Sequence, residues 1–160
     1  VQPRLRCNGG PAMKTPIHDA VVRQTDVLLA NVQVLVDIHR PDPSDSSEWG
    51  FDEQLFHLAT SLDKWFVDPG SERAKAVDAL RARRKRLDPG EMSAYFAEVA
   101  DGIRRHLDSR PDWEGHPDGC AWSRLELVMA QDRHAMHHVG YLHAWLKQRG
   151  CEAPAWKGLD

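Results

Sequence analysis

Two of the nine histidines in this 160-residue chain lie at a spacing that suits metal binding. His134 and His138 are four residues apart in a segment with helical periodicity, so one turn of helix brings both rings to the same side. Imidazole nitrogen is a common ligand of divalent transition metals, and a site with three such ligands leaves a position open for water or substrate. The pair therefore predicts part of a metal site. The alternative interpretation is a pair of buried, hydrogen-bonded histidines without a metal.

The same two histidines fall on a heptad pattern, which is typical of the helix face turned toward neighbouring helices. The pattern runs through Leu127, Gln131, His134, His138, Tyr141 and Trp145. A polar side chain on such a face is costly unless it is paired, so two imidazoles there call for partners or a ligand. His137 and His143 lie off this pattern, and we assign them no role.

A third ligand must come from another helix, and several familiar arrangements are excluded. Ala135 follows His134, so the His-Glu-x-x-His motif of zinc proteases is absent. The chain contains no Glu-x-x-His pair, which excludes the di-iron carboxylate arrangement of helix bundles. The remaining donors are His18, His39, His57, His106 and His116. Only His57 lies well inside a predicted core helix, but on its flank, beside Gln54 and Ser61, so periodicity alone does not select it.

The elements that must position these residues are all predicted to be helices. Apolar spacing and helix-terminal residues predict four main helices over 15–40, 50–67, 88–108 and 121–149, with a short, less apolar helical segment over 71–86. We expect an all-α fold, an antiparallel four-helix bundle with one extra segment. The predicted domain covers 15–157 and follows a flexible tail, residues 1–14, which is rich in Pro and Gly.

Local patterns also predict the caps and the buried stripes. Asp88 and Glu91 match a capping box with Pro89 as the first helical residue, and Gly150 suits the position just after the last helix. The residues expected to face the core are Ile17, Val21, Leu28, Leu35 and Ile38 in the helix over 15–40, Phe51, Leu55, Leu58, Leu62 and Trp65 in the helix over 50–67, and Met92, Phe96, Val99, Ile103 and Leu107 in the helix over 88–108.

Composition narrows the function classes. The formal net charge is −3, and the five basic residues within 81–86 are more typical of a solvated helix face than of a nucleic-acid interface. The three cysteines, Cys7, Cys120 and Cys151, form no Cys-x-x-Cys pair and favour a reduced compartment. No apolar stretch is long enough to cross a membrane. We therefore expect a cytoplasmic protein with a small-molecule substrate and neither nucleic-acid nor membrane partners. A spare apolar stripe is expected to make it a homodimer.

Two segments of the chain resemble signatures of the DinB-like (damage-inducible) family of four-helix metal-binding proteins. Trp49, followed after seven residues by His57-Leu58, is similar to the second-helix signature of that family. The run His134-Ala135-Met136-His137-His138-Val139-Gly140, in a helix that ends Leu146-Lys147-Gln148-Arg149-Gly150, resembles its last-helix signature. The resemblance extends over residues 15–156, which is nearly the whole chain.

The resemblance implies an open site in which His57, His134 and His138 hold a divalent metal, with Zn, Ni or Fe as the candidates. Related enzymes include bacterial S-transferases that use bacillithiol or mycothiol, so the implied function is a metal-dependent transfer of a low-molecular-weight thiol to an electrophile in stress or detoxification. The alternative is a non-enzymatic, stress-related bundle that binds a metal or ligand. Val139 and Tyr141 stand where the family often has Arg and Gln, which leaves the substrate open. We expect Gln54, Gln131 and Asn31 to be the residues that orient the ligating histidines.

Overall fold

A computed structural model describes residues 16–40, 49–65, 71–82, 87–109, 111–117 and 119–158 of the chain. These residues form five helices and no strand, which confirms the all-α class for the part of the chain that is described. The helices are α1 (Pro16–Asp37), α2 (Phe51–Trp65), α3 (Glu72–Ala82), α4 (Pro89–Asp108) and α5 (Arg124–Gln148). The predicted tail, residues 1–14, lies outside the described residues.

Each of the four longer helices packs against two of the others. Helix α5 contacts α1 and α2, and α4 also contacts α1 and α2, while the short α3 packs against α2. The core between them is built from the predicted stripes of α2 and α4, including Phe51, Leu55, Leu58, Met92 and Phe96. Because α2 contacts α3, α4 and α5, its side chains are positioned from three directions. None of the helices in the described ranges is long and apolar enough to span a bilayer.

Side-chain caps fix the starts of α4 and α5. The predicted capping box of α4 is confirmed, because Asp88 accepts a hydrogen bond from the Glu91 backbone and Glu91 reaches back to the Asp88 N–H. Helix α5 begins at Arg124, three residues later than predicted, because Ser123 and Glu126 form a second capping box. Gly150 has φ 70°, as expected for the residue that follows a helix end.

The structure corrects two of the predicted faces. Ile17 is 40% exposed, since the first turn of α1 turns His18 and not Ile17 toward the core, where His18 packs against Trp113. On α5 the face with the deepest burial is shifted by about one residue from the predicted heptad pattern. It comprises Val128, Gln131, Ala135, Val139, Leu142 and Leu146. Leu127, His134, Tyr141 and Trp145 are only partly buried. The predicted heptad pattern therefore lies on the flank of α5 and not at the centre of its buried face.

Candidate metal centre

Helices α2 and α5 bring His57, His134 and His138 together at their contact. One ring nitrogen from each histidine can be chosen so that all three nitrogens lie within 4.8 Å of one another. The ring centroid of His57 is 5.5 Å from that of His134 and 4.7 Å from that of His138. The exposure of the three residues differs: His57 is exposed, His134 is half-buried and His138 is buried. The cluster is therefore open to solvent on one side, next to His57.

A hydrogen bond to Gln54 sets the tautomer of His138. The His138 Nδ1 atom lies 2.9 Å from Gln54 Oε1, and both side chains are buried. An amide oxygen only accepts hydrogen bonds, so Nδ1 must carry the proton and Nε2 keeps its lone pair. That lone pair points toward His134, whose Nε2 atom is 3.0 Å away. Gln54 thus prepares His138 to act as a ligand through Nε2, as partners of ligating histidines usually do.

The contact between His134 and His138 leaves one polar atom without a partner. Because His138 Nε2 is the acceptor, His134 must donate through its own Nε2, which leaves Nδ1 of His134 unprotonated. That Nδ1 atom is buried and has no hydrogen-bond partner among the described residues. A ligand at Nε2 would move the proton to Nδ1 without any net loss of a proton. In the metal-free pair the Nε2 atom of His134 is used as a donor to His138, and in a metal site it would be free to act as a ligand.

All three rings are held in the neutral form that binds metals. Burial, followed by the charge of Arg81 and the neighbouring His134, lowers the pKa of His57. Burial, followed by His137 and Arg81, lowers the pKa of His134. Burial and the neighbouring histidines, His57 first, lower the pKa of His138 to about 4. Near neutral pH a metal ion would therefore have no protons to displace from the cluster.

The donor set and its dimensions fit a divalent transition metal. In a tetrahedral site with metal–nitrogen distances of about 2.0–2.1 Å, the ligand nitrogens are about 3.4 Å apart. The nitrogens of His134 and His138 are 3.0 Å apart, and all three ligand nitrogens lie within 4.8 Å of one another, close to that geometry. Three neutral imidazoles suit zinc, nickel and iron alike, so the ligands do not select among these metals.

Of the three residues expected to orient the histidines, Gln54 alone does so. Gln131 is fully buried, but neither atom of its amide has a hydrogen-bond partner among the described residues. Asn31 instead forms a reciprocal pair of hydrogen bonds with the backbone of Lys157, each 3.0 Å long. Its amide therefore joins the C-terminal segment to α1, and it does not orient a histidine of the cluster.

The six other histidines are predicted to have no role in the site, and one of them makes a buried hydrogen bond with a carboxyl group. His39 is 1% exposed, and its Nε2 atom lies 2.8 Å from Asp52 Oδ1. The pair joins the residues that follow α1 to the first turn of α2, close to the base of the helix that carries His57. Exposed His137 packs its ring against His138 at a centroid distance of 5.5 Å.

Arg81 is the residue near the site that sequence reasoning missed. It lies at the end of α3, and its Nε and NH2 groups donate to Thr60 Oγ1 at 2.9 Å and Ser61 Oγ at 2.7 Å. The sequence does contain a signal, since Ala74, Val77 and Arg81 share one helix face and the first two are buried against the bundle. Arg81 also belongs to the five basic residues within 81–86, which predict a solvated helix face.

The two departures from the family pattern occupy different surroundings. Val139 is completely buried in the core, so its side chain does not face the histidine cluster. Tyr141 donates a hydrogen bond of 2.7 Å from its hydroxyl to the backbone oxygen of Trp49, just before α2. Tyr141 therefore joins α5 to the start of the helix that carries His57.

Comparison of the chain with protein-family models, with curated proteins and with solved structures finds no match. The likeness to the DinB-like family therefore rests on the two histidine-bearing segments alone. What the structure itself brings together is a group of three histidines, His57, His134 and His138, that could hold a metal ion.

Proposed function

We propose that this chain binds a divalent metal through His57, His134 and His138 and that it belongs with the DinB-like four-helix bundles. The observation that carries the metal site is the convergence of three neutral imidazoles from α2 and α5 on one point with a solvent-exposed side. The pairing of α1, α2, α4 and α5 supports the bundle. An open side distinguishes a site that accepts a ligand from a closed structural site.

We further propose that the site serves the transfer of a low-molecular-weight thiol to an electrophilic small molecule. In this role the metal would supply stabilisation of the thiolate form of the cosubstrate, which is the reactive nucleophile. The sulfur forms a bond to the electrophilic carbon, the thiol proton leaves to solvent, and the leaving group departs with its electron pair. Gln54 orients His138, and exposed His57 borders the side from which both substrates would enter.

The metal site is tested by the metal content of purified protein after incubation with zinc, nickel or iron(II). We expect one equivalent in the wild type and a loss of at least about 100-fold in affinity in His57→Ala, His134→Ala and His138→Ala. His143→Ala is the matched control, because His143 lies on α5 but packs against Trp156, with ring centroids 5.4 Å apart. A folded wild type that takes up no metal would refute the proposal.

Thiol transfer is tested separately on the metal-loaded protein. Bacterial thiols are offered together with 1-chloro-2,4-dinitrobenzene, whose chloride is displaced to give a coloured thioether. We expect turnover with at least one thiol and none in His138→Ala. Stoichiometric metal without turnover for any thiol would favour the alternative of a non-enzymatic binding bundle.

A further inference from the structure

Arg81 holds a positive charge beside the histidine cluster and is fixed there by neutral groups. Its guanidinium spans two consecutive residues of α2, donating from Nε to Thr60 and from NH2 to Ser61. The Thr60 hydroxyl in turn donates to the backbone oxygen of Phe56, at 2.9 Å. The guanidinium is therefore held in one orientation, half-buried against the helix that carries His57.

The hydrogen-bond partners of the Arg81 guanidinium are neutral hydroxyl groups. Within the described ranges Arg81 makes no ion pair, whereas Arg73 on the same helix binds the buried Asp63 at 2.9 Å and also reaches Glu98. A guanidinium carries five N–H donors, and Arg81 uses two of them. Three donors remain for another acceptor. Because Arg81 is only half-buried, these donors are available to an anion that approaches from solvent.

The guanidinium of Arg81 reaches the edge of the histidine cluster through Ser61. Ser61 Oγ, which accepts from Arg81 at 2.7 Å, is also 3.5 Å from His57 Nε2. The guanidinium and the His57 ring thus meet at one hydroxyl group. The charge of Arg81 also contributes to lowering the pKa of both His57 and His134, as expected for a cation that faces the cluster.

The charges at this site do not balance without a ligand. Three neutral imidazoles bring no negative charge to a dication, and Arg81 adds a further positive charge at its edge. We propose that Arg81 forms an oxyanion subsite beside the metal position, and that the natural ligand is a small molecule with both a metal-binding donor atom and a carboxylate. This inference rests on the proposed metal site and names the class of ligand that the site takes.

The test uses the full chain loaded with cobalt(II) and two probes that share the same mercaptopropionyl group. One probe is 3-mercaptopropionate and the other is its uncharged methyl ester, and the absorption of the thiolate–cobalt contact reports the dissociation constant of each. We expect the acid to bind about 10- to 100-fold more tightly than the ester, the range for a charge-assisted hydrogen-bonded pair. In Arg81→Gln this preference should fall to about twofold or less, and Arg81→Lys should keep part of it.

Arg104→Gln is the matched control. Arg104 is an exposed arginine of α4 that faces Asp26 of α1, away from the cluster, so its loss should leave the preference unchanged. Cobalt affinity, measured in every protein, should not change in Arg81→Gln. If Arg81→Gln does not fold, the comparison of acid and ester on the wild type still decides, because equal affinities would overturn the subsite.

The outcomes separate this inference from the metal site itself. A wild type that binds cobalt but binds acid and ester equally refutes the subsite and leaves the metal site standing. A preference for the acid that survives in Arg81→Gln also refutes it and shows that Arg81 only ties α3 to α2. A wild type that binds neither cobalt nor the ester refutes the metal site, and the subsite with it.

Discussion

Replacing Gln54 with leucine tests how the fold prepares the histidine cluster for a metal. The substitution keeps a similar volume in a buried position but removes the only acceptor that the structure provides for His138 Nδ1, at 2.9 Å. Without that acceptor the proton of His138 is free to occupy Nε2, where it blocks ligation. The ligand residues themselves remain in place, so we expect the site to weaken and not to disappear.

The size of the effect follows from the bond that is lost. A buried neutral hydrogen bond contributes about 1–1.5 kcal/mol, which corresponds to about tenfold in an equilibrium constant. Substitution of residues that orient metal ligands typically weakens metal binding by about 10- to 100-fold. We therefore expect Gln54→Leu to bind zinc about tenfold more weakly than the wild type, well short of the loss expected for His138→Ala.

Competition with a chromophoric zinc chelator measures these affinities, and Gln54→Glu provides the sharpest control. Its carboxylate restores an acceptor for Nδ1 and increases the basicity of the ring, so zinc affinity should return to the wild-type level or exceed it. Equal affinities in the wild type and Gln54→Leu would refute the reasoning. So would a loss in Gln54→Glu as large as that in Gln54→Leu, because burial alone would then explain both.

Four further predictions concern stability. Burial raises the pKa of Asp132 to about 6, so Asp132→Asn should stabilise the protein by about 1–2 kcal/mol at pH 7 and not at pH 4, as urea titrations would show. Burial instead lowers the pKa of His138 to about 4, so on acidification the unfolded chain binds this proton before the folded protein does. In metal-free Asp132→Asn protein we therefore expect stability to fall as the pH is lowered from 6.5 to 4. Adding His138→Ala should reduce this pH dependence, as measured by thermal unfolding. Asp63→Ala breaks the pair of buried Asp63 with Arg73 and should lower the free energy of unfolding by about 2–3 kcal/mol. Asp78→Ala breaks an exposed pair with Lys64 and should lower it by less than about 1 kcal/mol. Equal losses for the two variants in chemical denaturation would contradict this prediction. Asn31→Ala should release the C-terminal segment, seen as faster amide exchange over 151–158 with α5 unchanged.

Features that depend on a few neighbouring residues could be predicted from the sequence. All five apolar residues predicted to face inward from α4 are buried, and its capping box forms as expected, because periodicity and caps act within one helix. On α5, periodicity predicts the wrong residues as the centre of the buried face. Apolar residues follow two adjacent lines along this helix, one through Leu127 and Tyr141 and one through Val128 and Leu142. Only packing against α1 and α2 decides which line is buried.

The candidate site shows the same division between local and non-local information. The spacing of His134 and His138 was sufficient to pair them, but His57 lies 77 residues before His134 and was identified only through the resemblance. The bond from His138 to Gln54 and the approach of Arg81 to Ser61 also join residues of different helices. The sequence pattern of a single helix cannot predict these two contacts, because they depend on how α2, α3 and α5 pack.

The placement of the carboxylates explains why a ligand should complete the site. Helix α2 carries three carboxylates, and two of them, Asp52 and Asp63, are engaged by protein partners. Asp52 pairs with His39 at 2.8 Å, while Asp63 accepts from Arg73 and from the Tyr95 hydroxyl. Arg81 adds positive charge at the edge of the cluster, where it lowers the pKa of His57 and His134. An additional carboxylate ligand from the protein would reduce the net charge of a bound dication and its demand for an anionic ligand. With neutral ligands alone, the proposed anionic ligand that enters beside His57 would meet that demand.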